Sequence, residues 1–214
     1  MTTMSESLVE RWEEVRASED FPACRIELLQ AFVEDFPDHA PGWRVLGRTL
    51  SEVSRFDEAI DALNRALEMA EQRYRTFVYC DMGDLCRDRG DDASAEQWFR
   101  RAIDQEPADA HGYIYLGCML ARLGRLSEAE ETHRRATLCK RGCIDEAWHN
   151  LGLVLRAQGR YDEAAACFEA ALKIDPQYKD ARLAKRDVQR AVRLRSPGQT
   201  PSARGGKDHP SPQI

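Results

Sequence analysis

The sequence predicts an all-α protein built from stacked helix-turn-helix units, because one motif recurs four times at an almost constant spacing. In each copy an aromatic residue is followed three positions later by an apolar residue, and glycine comes next. The copies begin at Trp43, Tyr79, Tyr113 and Trp148, at steps of 36, 34 and 35 residues. Thirteen residues after the apolar position each copy has an alanine, at Ala59, Ala95, Ala129 and Ala164. This period accommodates two amphipathic helices and a turn.

The small residues of the motif indicate close packing between the two helices of each unit. The motif glycines are Gly47, Gly83, Gly117 and Gly152. Glycine in a helix interior costs about 1 kcal/mol relative to alanine, and we expect a second helix to approach closely enough to offset that cost. Gly90, Gly124 and Gly159 stand where helix C-caps are required. The first turn, at 54–57, has no glycine.

These copies, closed in two cases by Pro107 and Pro176, resemble the tetratricopeptide repeat, a unit of about 34 residues. The resemblance implies a right-handed α-solenoid in which the first helix of each pair lines a concave surface that binds another protein. We expect four repeats, at 40–73, 76–109, 110–143 and 145–178.

The two ends of the array depart from the motif. Residues 6–39 have the length of a degenerate fifth repeat, which we interpret as an N-terminal cap because a terminal repeat has one face in water. Its first helix is expected to place Leu8, Val9, Trp12 and Val15 on one stripe. Residues 179–195 predict a C-terminal cap helix. Residues 196–214, rich in proline, glycine and serine, predict a disordered tail.

Charge is distributed unevenly along the chain. Residues 179–214 contain nine basic and three acidic residues, a net charge of +6, which leaves −12 on residues 1–178 of a chain with an overall net charge of −6. One alternative function is therefore binding to nucleic acid or to another acidic surface through the last helix. Its contacts would be Arg182, Lys185, Arg186, Arg190 and Arg193. The acidic body opposes a polyanion, so nucleic acid is not the expected partner.

The phase of the family's repeat places one set of side chains in the expected groove. They are Arg44, Arg48, Phe77, Asp81, Asp84, His111, Ile114, Tyr115, Arg122, His149, Asn150 and Arg156. We expect a basic patch at Arg44 and Arg48, then an acidic patch at Asp81 and Asp84, followed by apolar and polar positions. Such a surface suits a partner segment with charges of both signs around apolar anchors. A face that is merely solvated is the alternative.

A minor alternative is a co-chaperone that holds the acidic C-terminus of a heat-shock chaperone. The family's carboxylate clamp requires basic and asparagine side chains at fixed positions. Arg44 fits the first basic position, but Arg48 and Asp81 occupy asparagine positions, and His111 and Tyr115 occupy the last two basic ones. An aspartate would repel a carboxylate, so this function is disfavoured. Self-association through a groove or an array end is a further possibility.

The sequence favours a protein without catalytic activity. It contains no phosphate-cradling glycine loop, zinc-binding helix motif or nucleophile elbow, and we expect no cofactor and no metal site. Cys139-x3-Cys143 is an incomplete metal or redox motif and is interpreted as ordinary helix-end sequence. His133 replaces a large apolar residue and is expected to be semi-buried and hydrogen-bonded. No membrane span or secretory signal is evident, which predicts a cytoplasmic location.

Overall fold

A computed structural model of the chain describes residues 2–17 and 22–195, and within these residues it contains eleven α-helices and no strand. The helices are α1 Thr2–Ala17, α2 Pro22–Asp35, α3 Ala40–Glu52, α4 Phe56–Met69, α5 Gln72–Asp88, α6 Asp92–Gln105, α7 Ala110–Arg122, α8 Leu126–Thr137, α9 Ile144–Ala157, α10 Tyr161–Ile174 and α11 Lys179–Arg195. The predicted all-α repeat architecture is confirmed. The predicted disordered tail at 196–214 lies outside the described residues.

The four central hairpins, α3–α4 to α9–α10, are held together at the motif glycines. A Cβ atom added to Gly47 would lie 2.6 Å from Cγ of Leu63, and one added to Gly152 would lie 2.6 Å from Cε1 of Phe168. Each glycine therefore lies directly under a large side chain of the second helix. The motif alanines of the second helices, from Ala59 to Ala164, are fully buried at the same contacts.

The third hairpin has an imidazole where the others have a hydrocarbon side chain. His133 occupies the position of Leu63, Phe99 and Phe168, and it is 1 % exposed. Its Nδ1 atom has no hydrogen-bond partner, so the side chain is more deeply buried and less well satisfied than the sequence predicted. Burial lowers the pKa of His133 from its ordinary 6.5 to about 4, because a charged imidazolium cannot be solvated there.

The turns inside the hairpins share a left-handed residue. Gly90, Gly124 and Gly159 have φ angles of 82°, 76° and 79°. Ser54, in the first turn, adopts a φ of 62° without being glycine. The turn geometry is therefore common to all four hairpins, and the first one is strained by its Cβ atom.

From α5 onwards, the first helix of each repeat packs against both helices of the repeat before it. α3 contacts α5, α5 contacts α7, and α7 contacts α9. Between 40 and 178, the second helices α4, α6, α8 and α10 make no such close backbone contact with one another. A stack whose first helices touch while its second helices separate must curve, with the first helices on the inner side.

Partly buried ion pairs connect the separated second helices. Arg125, which precedes α8, donates to Glu96 of α6 at 2.7 Å, and Arg160, which precedes α10, donates to Glu130 of α8 at 2.7 Å. The two bridges occupy the same place in successive repeats. Because they are near the surface, they contribute modestly to stability, but they define the spacing on the outer side.

The terminal helices pack against the neighbouring helices. Val15 is buried in a core cluster that continues through α2 into the first repeat, and Ala181, Ala184 and Val188 of α11 are buried at the other end. Val9 was predicted on the buried stripe of α1 but is 51 % exposed. It is adjacent to Leu8 in sequence and so points about 100° away from it around the helix.

We predict that His133→Phe stabilises the protein. The substitution removes a buried, unsatisfied nitrogen and reproduces the side chain that Phe99 and Phe168 place beside Gly83 and Gly152. We expect the free energy of unfolding in urea to rise by about 1 to 2 kcal/mol. The reverse change at an equivalent site, Phe168→His, should lower it by a similar or larger amount. A loss of stability in His133→Phe would contradict this account.

The same histidine should make stability depend on acidity. The unfolded chain takes up the His133 proton near pH 6.5, whereas the folded chain does so only near pH 4. The contribution of His133 is therefore complete above about pH 6.5 and is lost as the pH falls towards 4, by up to about 1.4 kcal/mol per pH unit. Urea titrations at several pH values should show the stability gap between the parent and His133→Phe widening below pH 6.5. A constant gap would contradict the assignment.

Candidate partner-binding groove

The inner face of the array is formed by α3, α5, α7 and α9, and side chains join each of these helices to the next. Arg48 Nε lies 3.6 Å from Asp81 Oδ1 between α3 and α5. The rings of Phe77 and His111 meet edge to face between α5 and α7, with centroids 5.1 Å apart. Asn150 Nδ2 lies 3.4 Å from Cys118 Sγ between α9 and α7. The four helices therefore present one continuous surface, which we call the inner groove.

The first charged patch of the inner groove is internally neutralised. Arg44 donates from Nε to Oδ2 of Asp81, and its guanidinium lies over the rings of Tyr74 and Phe77 at 5.6 and 5.3 Å from their centroids. Asp81 is 4 % exposed. The separate basic and acidic patches expected from the sequence are thus partners in a buried ion pair. Helices one repeat apart bring residues 37 positions apart into contact.

Electrostatics at this ion pair reflect its burial. Burial raises the pKa of Asp81, and the guanidinium groups of Arg44 and Arg48 offset part of that rise. Burial would lower the pKa of Arg44, but Asp81 and the Tyr74 hydroxyl raise it overall. The carboxylate clamp requires a basic group free to meet an incoming carboxylate, whereas Arg44 is already engaged by Asp81. The pairing therefore opposes the chaperone-tail alternative.

A polar depression follows along α5. It has a volume of about 210 Å³ and lies between α3 and α5. Its charged lining consists of Arg48, Glu52, Asp81, Asp84, Arg87 and Asp88. Burial raises the pKa of Asp84 to about 6, although Arg87 opposes this rise. Arg87 pairs with both Asp84 and Asp88. The sequence analysis missed Arg87, which lies one helical turn beyond Asp84 on the same face.

The middle of the inner groove is lined by Tyr115, Cys118 and Asn150. The Tyr115 ring stacks on Phe99, with centroids 5.7 Å apart and an interplanar angle of 22°. Burial and the carboxylates of Asp84 and Asp81 raise the pKa of Tyr115 to about 12. Burial, together with Glu146, raises the pKa of Cys118 to about 11. These groups are therefore neutral at physiological pH, and they offer hydroxyl, thiol and amide contacts.

Two predicted groove residues instead contribute to packing. Ile114 is 4 % exposed and belongs to a core cluster with Ala110, Ala136 and Ala147. His149 is 9 % exposed and lies against the Tyr178 ring, at a centroid distance of 5.0 Å. The position of a residue in the repeat does not predict whether its side chain faces the groove or packs between helices, since both kinds of residue occupy neighbouring turns of the same helices.

Three arginines of the predicted set remain exposed on three different helices. They are Arg48 on α3, Arg122 on α7 and Arg156 on α9. The side chain of Arg48 is 53 % exposed and that of Arg122 is 51 % exposed. Arg122 also bonds Asp92 at 2.5 Å. Within the predicted set, these guanidinium groups are more exposed than that of Arg44, whose side chain is 19 % exposed.

The basic residues of α11 are partly engaged by the protein itself. Lys185 Nζ lies 2.8 Å from Glu169 on α10, and Arg182 donates to the carbonyl of Pro176 at 2.8 Å. These contacts orient two of the five predicted nucleic-acid contacts towards the array. In the part of the chain that the structure describes, no group of three or more His, Cys, Asp or Glu side chains is placed to hold a metal ion. No described helix has the length and apolar character needed to cross a membrane.

Comparison with known proteins identifies relatives of this fold. Over 93 residues the chain is 37 % identical to human tetratricopeptide repeat protein 7A, a stretch that covers 44 % of this chain and 11 % of that protein. The chain thus spans about a tenth of the length of this curated relative. Yeast Tom70 superimposes with a TM-score of 0.72 at 14 % identity, over 79 % of this chain and 36 % of Tom70.

A second similar structure contains a peptide. It is the first tetratricopeptide domain of Spaghetti (RPAP3), bound to the HSP90 peptide SRMEEVD, with a TM-score of 0.51 and 19 % identity over 56 % of this chain and 95 % of that one. Models of the tetratricopeptide repeat match residues 26–74, 80–141 and 145–178, which together form most of the chain. The chain belongs to the tetratricopeptide repeat family.

Proposed function

We propose that the protein is a non-catalytic adaptor, scaffold or assembly factor of the cytoplasm that holds a segment of a partner protein in its inner groove. The main support for this proposal is that the inner groove is continuous. Side-chain contacts from α3 to α9 join four repeats into one surface. A surface of this kind is long enough to accept an extended or helical segment. The family relationship supports a protein or peptide partner.

The charges left exposed in the groove indicate which segment would fit. Arg48, Arg122 and Arg156 are spread over three helices and can each meet a carboxylate of the partner. Between them, a basic or hydrogen-bonding group of the partner that entered the depression would share the Asp84 and Asp88 carboxylates with Arg87. We therefore propose a partner segment that carries acidic residues at its ends and a basic or polar residue between them.

The buried Arg44–Asp81 ion pair has a structural role, so it is not a suitable site for testing partner binding. Reversing Arg44 to a carboxylate would place a second negative charge against the buried Asp81. Loss of binding in such a variant would therefore report unfolding. Exposed side chains are the appropriate probes of binding.

We predict that Asp81→Ala lowers the free energy of unfolding by about 3 kcal/mol, because it leaves the Arg44 guanidinium buried without a counter-charge. The double variant Arg44→Met/Asp81→Leu should recover most of that loss. Urea denaturation followed by circular dichroism measures both values. If the losses measured for Arg44→Met alone and Asp81→Leu alone simply add in the double variant, the pair is not coupled and this assignment is wrong.

We predict that a groove variant loses its partner. Removing Arg48, Arg122 and Arg156 together, each to Ala, should weaken binding at least about tenfold, which corresponds to about 1.4 kcal/mol. The partner is first captured from cell extract by the parent protein. Synthetic peptides tiled along the captured partner are then titrated by calorimetry against the parent and the variants.

A matched control carries the same change of charge on the outer side. It replaces Arg65 of α4, Arg101 of α6 and Arg135 of α8 with Ala, all of which are exposed. Circular dichroism should give equal helix content for both variants. Full peptide affinity in the groove variant, or an equal loss in both variants, would reject the inner groove as the binding surface.

A further inference from the structure

A thiol, an imidazole and a carboxylate are aligned at the junction of the third and fourth repeats. Asp109 Oδ1 lies 2.6 Å from His111 Nδ1. His111 Nε2, on the other side of the ring, lies 3.9 Å from Cys143 Sγ. Cys143 is exposed. The three residues come from two segments that are 32 residues apart in the sequence.

The backbone holds these two segments in register. The amides of Lys140 and Arg141 both donate to the carbonyl of Ala108, at 3.0 and 3.2 Å, and the amide of Ala110 donates to the carbonyl of Arg141 at 2.9 Å. Gly142 then reverses the chain with a φ of 89°. The position of Cys143 relative to His111 is therefore determined by main-chain hydrogen bonds on both sides.

Hydrogen bonding orients the imidazole towards the thiol. Asp109 also accepts from the amide of His111 at 2.9 Å, so its carboxylate is anchored as the N-cap of α7. The Asp109 carboxylate accepts a hydrogen bond from Nδ1–H of His111. The lone pair on Nε2 of the same ring then faces Sγ of Cys143. Cys143 is itself the N-cap of α9 but makes no side-chain cap bond, so its sulfur is not committed to the helix.

We propose that Cys143 is a nucleophilic thiol, activated by His111, which Asp109 orients, and that it reacts with low-molecular-weight disulfides to form a mixed disulfide. His111 Nε2 accepts the Sγ proton, and the resulting thiolate attacks one sulfur of the disulfide. The S–S bond of the reagent breaks and its other half leaves as a thiolate, which takes the proton back from His111. Cys143 is oxidised, the disulfide is reduced, and no further reactant is needed.

The surroundings explain why a base is required. Partial desolvation of this exposed residue, with Glu146, Asp145 and Asp109, raises the pKa of Cys143, so the resting group is the protonated thiol. Reactivity then depends on proton transfer to an oriented neighbour. The oriented imidazole of His111 distinguishes Cys143 from the exposed thiol of Cys24 and from the buried thiols of Cys80 and Cys167.

The test is a labelling rate resolved for each cysteine. The intact chain is mixed with 2,2′-dithiodipyridine at pH 7, and the adducts are quantified by peptide mass spectrometry. We expect Cys143 to react at least about tenfold faster than Cys24, a threshold below the roughly 10²- to 10⁴-fold that general-base catalysis supplies. His111→Gln should reduce the Cys143 rate by about the same factor while the Cys24 rate is unchanged.

A second variant protects the test against misfolding. Asp109→Asn keeps a residue that caps α7 well but removes the carboxylate, and it should slow Cys143 by a smaller factor than His111→Gln. The buried thiols of Cys80 and Cys167 should stay unreactive in any folded variant. If they become labelled in His111→Gln, that variant has unfolded, and the Cys143 rate in Asp109→Asn is used to test the proposal instead. A parent rate for Cys143 within twofold of that of Cys24, or a rate unaffected in the folded variants, would overturn the proposal.

Discussion

The close approach of two helices at a glycine is the constraint on which the rest of this structure depends. At Gly47 and Gly152 the large side chain of the second helix occupies the space that a Cβ atom would fill. This contact sets the distance between the helices of a hairpin and buries the motif alanine beside it. Because every central repeat uses the same contact, successive hairpins have the same shape and can stack regularly.

Regular stacking in turn produces the inner groove and limits what it can do. Neighbouring first helices touch, so charged residues on them meet each other before they meet a partner. Asp81 illustrates this, because it is closed off by Arg44 and Arg48. The groups left for recognition are those whose charge is not neutralised by contacts between repeats, such as Arg156 and the edge of the Asp84 depression.

Periodicity predicted the helices well because each one depends on local sequence and on one repeated contact. The site was predicted less completely because it depends on pairs that lie in different repeats. A list of inner positions includes Ile114, which packs into the core, and omits Arg87, which shares a turn with Asp84. The approach of Cys143 to His111 depends on the path of the backbone from Lys140 to Gly142, which departs from the repeat pattern.

The Arg44–Asp81 pair also bears on where the chain can be divided. A repeat boundary drawn from the sequence falls between α4 and α5, yet the ion pair and the Arg44–Phe77 contact cross it. A fragment that begins at α5 would retain the Asp81 carboxylate but lose Arg44 and Arg48, the two guanidinium groups that pair with it. Excising one repeat is therefore not equivalent to shortening the array, because it leaves a buried carboxylate without its counter-charges.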